Sequence, residues 1–113
     1  MIRGYLPEET APARGEIDRM AGPVLVEFGT PWCGYCQAAQ HDIQALLAKH
    51  PEIQHVKVED GPGRRLGRSF RVKLWPNLVF IKNGALVRQL ARPSAVEMRD
   101  AFQALAAGRA EKS

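Results

Sequence analysis

The sequence predicts an α/β fold in which helices flank a central mixed β-sheet, and three observations lead to it. Two near-continuous apolar runs, residues 24–29 and 77–81, read as strands covered on both faces. A stretch of helical period over residues 35–49 separates the first run from a weaker strand at 53–59, so the strand–helix–strand unit makes a right-handed parallel crossover. Asn83-Gly84 follows the last apolar run and is the residue pair of a tight hairpin, which makes the next strand antiparallel. Parallel and antiparallel pairs in one chain give a mixed sheet.

Taken in order, residues 1–10 carry little pattern and are expected to be a poorly ordered end. A short helix is predicted over residues 13–20, with Ile17 and Met20 at helical spacing and Gly22-Pro23 stopping it. In the long helix, Ala39, Ile43, Leu46 and Leu47 form one apolar stripe, and Pro51 ends it. Residues 53–59 alternate only weakly and suit a position near the sheet edge. Asp60-Gly61-Pro62-Gly63 is a turn, and residues 64–70 form a short helix or irregular turn with Leu66 and Phe70 four apart. Residues 85–90 complete the hairpin, with Leu86, Leu90 and Arg88 assigned to one face. Ser94 and Glu97 make a capping box for a closing helix over 95–107 that buries Met98, Phe102 and Leu105. Gly108 is expected to cap that helix, and residues 108–113 to be poorly ordered.

At 113 residues the chain fits one domain spanning 1–113. Such a length buries roughly two-thirds of the unfolded surface without covalent staples. The apolar runs are too short to span a membrane and no apolar leader follows Met1, so the expected location is cytoplasmic and no membrane partner is expected. The net charge of +4 is concentrated in Arg64, Arg65, Arg68, Arg71 and Lys73. That run lacks interleaved aromatics for base stacking, so a solvated face or an acidic partner is expected and nucleic acid is not.

The chain has only two cysteines, in Trp32-Cys33-Gly34-Tyr35-Cys36, where a strand gives way to a helix. A helix N-terminus carries unsatisfied N–H groups and about half a positive charge, which favours thiolate over thiol. The thiolate is the attacking species in disulfide exchange. Two cysteines this close are no structural crosslink, so redox catalysis or metal binding remains. The metal alternative has a formal pattern: Cys33-x2-Cys36 followed by His50-x4-His55. Pro51 directly after the first histidine, and a helix where a zinc finger needs a hairpin, argue against it. His50 and His55 are therefore expected at the surface, and no metal is assigned.

Residues 24–36 and 75–84, the latter reading Trp75-Pro76-Asn77-Leu78-Val79-Phe80-Ile81-Lys82-Asn83-Gly84, together resemble the thioredoxin family over roughly residues 23–106. The resemblance implies a thioredoxin-like fold and a thiol–disulfide oxidoreductase that reduces protein disulfides. It assigns Cys33 as nucleophile and Cys36 as the resolving thiol. Glu27, the lone ionisable residue of its strand, matches the family's usual buried Asp and would relay a proton to Cys36, for which burial suits it. A carboxylate in water at a sheet edge is the alternative. Trp75-Pro76 matches the family's cis-proline step. Trp32, Gly34, Tyr35, Trp75, Pro76 and Arg92 are the expected substrate contacts, with Trp75 open to a core-packing role instead.

Three departures from the family stand out. Trp75 replaces a smaller aliphatic residue. Gly34-Tyr35 replaces Gly-Pro and resembles periplasmic disulfide isomerases. Ala91-Arg92-Pro93 stands where the family has a glycine, and Arg92 there could stabilise the Cys33 thiolate, alter partner choice or simply be solvated. Glutathione-contact motifs of glutaredoxins have no match. The expected partners are disulfide-containing client proteins and a thioredoxin-reductase-type electron donor, with no tightly bound cofactor and a monomeric chain. A binding or chaperone-like module, and a disulfide isomerase or oxidant, are the alternative functions.

Overall fold

The structure, a computed structural model, describes residues 4–106. Its elements are α1 (Arg14–Asp18), β1 (Pro23–Gly29), α2 (Gly34–Lys49), β2 (Gln54–Glu59), α3 (Arg65–Ser69), β3 (Asn77–Lys82), β4 (Ala85–Ala91) and α4 (Ala95–Ala106). The strands form one sheet in the order β2-β1-β3-β4. β1 pairs with β2 in parallel and with β3 antiparallel, and β3 pairs antiparallel with β4. The predicted mixed sheet is therefore present, with β1 inside it and β2 at an edge.

Side chains alternate across the strands, and both faces are covered. On one face Leu25, Leu78 and Phe80 pack with Ile43 and Leu46 of α2 and with Met98, Phe102 and Leu105 of α4. On the other, Val24, Val26, Phe28, Val79 and Ile81 pack with Ile17 of α1, Leu66 of α3 and Phe70. This two-sided burial is why β1 and β3 read as almost unbroken apolar runs. The capping box of α4 is formed: Ser94 N–H donates to Glu97 Oε1 at 2.8 Å, and Glu97 N–H donates to Ser94 Oγ at 3.1 Å.

Several expectations need correction. Residues 4–10 are not a loose end, because Leu6 N–H donates to the Lys57 carbonyl at 2.8 Å and the Leu6 carbonyl accepts from Glu59 N–H at 2.9 Å. The segment lies parallel along the free edge of β2, opposite Val58. Helix α1 is also shorter than the predicted 13–20. In β4, Leu86 is exposed and Val87 packs on the core instead. The cause is a bulge: Phe80 faces Arg88 but Ile81 faces Leu86, so Val87 is the extra residue and the alternation shifts by one. The predicted Gly108 cap and the 108–113 end lie outside the described residues.

Candidate active site

β1 ends at Gly29, Thr30 to Trp32 form the turn, and Cys33 is the N-cap of α2. Cys33 adopts extended backbone angles, and its Sγ accepts the N–H of Cys36 at 3.2 Å. The sulfur thus takes the place of the hydroxyl or carboxylate that caps an ordinary helix, and it meets the positive end of α2. Both thiols are free. Cys33 keeps 8% of its surface exposed, whereas Cys36, one helical turn on, has none. Burial above all, and then the Cys33 thiol beside it, pushes the Cys36 thiol up to about 12. The Thr30 backbone and the Tyr5 hydroxyl oppose that push.

Glu27 is fully buried on the sheet face that carries Leu25, so the edge-in-water alternative does not hold. Its carboxylate is enclosed by polar partners. Gln40 Nε2 donates to Oε2 at 2.8 Å, and His55 Nε2 lies 2.8 Å from Oε1. Gln40 also reaches the Cys36 carbonyl at 3.2 Å, and its own oxygen accepts from Lys57 Nζ at 2.8 Å. A hydrogen-bonded chain therefore runs from the backbone of Cys36 through Gln40 to Glu27, His55 and Lys57.

His55, expected at the surface, is a half-buried member of this chain, and His50 packs on the Phe102 ring at 5.9 Å between centroids. Among the described residues no group of three His, Cys, Asp or Glu side chains converges as a metal site. Gln40 and Lys57 have no part in the sequence reading, and His55 enters it only as a formal metal ligand expected at the surface. The signal was there for two of them: β2 pairs Leu25 with His55 and Glu27 with Lys57, so alternate basic residues fall on the Glu27 face.

The predicted contact residues form a rim around the cysteines. Trp32 is 69% exposed and meets Trp75 edge to face, ring centroids 5.9 Å apart. Trp75 is half-buried: it packs on the core, as the core-packing reading holds, and its Nε1 donates to the buried Asp60 carboxylate at 2.9 Å. The Trp75–Pro76 peptide bond is cis. Gly34 has open space where a β-carbon would stand. Tyr35 and Pro76 line a groove of about 190 Å³ together with Asp42, Arg92 and Met98.

Arg92 is exposed but not merely solvated. Its Nε donates to the Trp75 carbonyl at 2.8 Å, and its guanidinium lies 3.8 Å from the centre of the Tyr35 ring. It therefore ties the two sides of the rim together rather than reaching the Cys33 sulfur.

Comparison with known proteins decides the family. The thioredoxin family model matches residues 10–104. The chain belongs to the thioredoxin family. Thioredoxin 2 from Pseudomonas aeruginosa PAO1, solved in its reduced form, is 54% identical and superimposes with a TM-score of 0.81, covering 96% of this chain and 99% of that one. Thioredoxin H-type from Picea mariana is 31% identical over 74% of this chain and 67% of its own length. Human protein disulfide-isomerase A2 is 34% identical over 76% of this chain, but the match spans only 21% of that protein. Family membership together with the vicinal thiols makes the chain a thiol–disulfide oxidoreductase. No helix of the described residues is long and apolar enough to cross a membrane.

Proposed function

We propose that this thioredoxin-family chain reduces disulfides in client proteins by cycling Cys33 and Cys36 between dithiol and disulfide. The supporting observation is the unequal placement of the two sulfurs, one at a helix N-cap with residual exposure and the other enclosed behind it. The Cys33 thiolate attacks one sulfur of the client disulfide, forms a mixed disulfide and releases the first client thiolate. Cys36 then attacks the Cys33 sulfur, closing the Cys33–Cys36 disulfide and releasing the second client thiol. A thioredoxin-reductase-type donor returns two electrons and two protons to complete the cycle. The protein needs no tightly bound cofactor in this scheme and acts as a monomer in the cytoplasm.

Glu27 serves as the buried proton relay of the cycle, held for it by Gln40 and His55. An extended client segment lies across Trp32, Gly34, Tyr35, Trp75 and Pro76. Because Arg92 already occupies the Trp75 carbonyl, a client that uses that carbonyl must displace the guanidinium first. Arg92 is thus a selectivity element of the groove.

The reduction potential tests this reading. Equilibration against glutathione, with Cys36→Ala as the control, is expected to give a value near the −270 mV or so typical of thioredoxins as a class. A value nearer about −120 to −180 mV, the range of oxidants and isomerases, would replace the reductase with the isomerase reading that the Gly34-Tyr35 dipeptide and the disulfide-isomerase relative favour. Absence of a measurable couple would leave a binding module.

A further inference from the structure

Two buried side-chain oxygens among the described residues lack a hydrogen-bond partner: Tyr5 Oη and Thr30 Oγ1. Native structures rarely leave such groups unpaired, because a buried polar group that gives up water without gaining a partner is destabilising. Tyr5 belongs to the segment that Leu6 fastens to the edge of β2. Its ring lies 4.7 Å from Lys57 Nζ, and its hydroxyl points over the end of β1. There it meets the resolving cysteine. A β-carbon built on Gly29 would stand 2.6 Å from Cys36 Sγ and 2.7 Å from Tyr5 Oη, so the sulfur and the phenol oxygen share the space over that residue. Among the described residues no oxygen or nitrogen takes that O–H.

We infer that Tyr5 is a catalytic residue whose unspent O–H donates a hydrogen bond to the Cys36 sulfur as that sulfur becomes a thiolate. The inference rests on the proposed dithiol cycle. In the second half of the cycle the Cys36 S–H bond breaks, the Cys36–Cys33 S–S bond forms, and the bond from Cys33 to the client breaks. The electron pair leaves with the client sulfur, which takes the proton. Negative charge passes through Cys36 on the way, at a site with no exposure to water. A donor already in place there stabilises it without reorganisation.

The phenol keeps its own proton throughout. Burial first, and then the nearby Glu27 and Cys36 charges, hold it well above the ordinary tyrosine range. Among the described residues the ionisable groups beside the pair are Cys33, Glu27 and Lys57. Tyr5 therefore acts as a fixed donor and not as an acid that is consumed.

Tyr5→Phe removes the hydroxyl and keeps the ring beside Lys57. Reaction of the reduced full-length chain with dithiobis-nitrobenzoate releases thionitrobenzoate in two phases: attack by Cys33, then displacement by Cys36. The variant is expected to leave the first phase unchanged and slow the second about tenfold or more, the size of a hydrogen bond to a charged group. The second phase should also need a higher pH to reach its plateau. Equal second phases in parent and variant would overturn the inference. So would slowing of both phases with a lowered urea midpoint, which marks a structural role. Cys36→Ala keeps the outcomes distinct: if it still releases the second equivalent at the parent rate, the dithiol cycle itself is wrong.

Discussion

Gly29 and His55 show how closely single residues constrain this site. At Gly29 any side chain would press on both Cys36 Sγ and Tyr5 Oη. Gly29→Ala is therefore expected to destabilise the fold by about 1–3 kcal/mol, the usual cost of overpacking, and to slow insulin disulfide reduction; chemical denaturation and a turbidity assay measure the two effects. His55 is different, because it supplies rather than excludes. His55→Ala would leave one oxygen of a fully buried Glu27 without its 2.8 Å partner. A loss of about 1–3 kcal/mol in urea unfolding is expected. The sequence made Cys33, Cys36 and Glu27 legible because each is locally anomalous: a vicinal pair, and a lone charge in an apolar strand. Tyr5 carries no such mark. It reaches the cysteines only because Leu6 is fastened beside Val58, some fifty positions away, and no local pattern encodes that contact.

At the scale of elements, the β3–β4 hairpin is the part that sequence anticipated best and also where it erred. Asn83 and Gly84 both have positive φ, 50° and 81°, as the two central residues of the predicted tight turn require. The turn is also docked: Asn83 Oδ1 accepts from Gly22 N–H at 2.7 Å, and a β-carbon on Gly84 would strike the Asp18 carbonyl. Gly84→Ala is accordingly expected to cost more than about 1 kcal/mol, beyond the backbone penalty alone; thermal or urea unfolding measures it, and a neutral result would mean the α1–β1 loop yields freely. Two positions into the next strand, alternation failed. The alternation puts Leu86 on one face with Leu90, yet the bulge at Val87 separates them and leaves Leu86 in solvent. Strand periodicity carries no information about an inserted residue, so a leucine that fits the pattern can still end outside.

For the molecule as a whole, strand order and layering were readable because β1 and β3 had to be covered on both faces, and two pairs of helices supply the cover. What was not readable is how Cys36, the N-terminal segment and β2 form one buried polar unit. That unit gives the entire fold a pH dependence. In an unfolded chain the Cys36 thiol ionises at its ordinary value of 9.0, whereas in the fold it keeps its proton up to about 12. Tyr5 is displaced in the same direction from 10.0. Above 9.0 the unfolded chain binds fewer protons than the folded one, so raising the pH favours unfolding. The contribution is complete below 9.0 and is lost as pH rises toward 12. The urea midpoint of the reduced protein is thus expected to fall across that window. Cys36→Ala should fall less steeply over it, and Tyr5→Phe should lose the tyrosine share at its upper end. The oxidised protein, in which neither cysteine can ionise, should be flatter than the reduced one. Parallel curves for the parent and Cys36→Ala would show that the enclosed thiol is already as easily ionised in the fold as in the open chain.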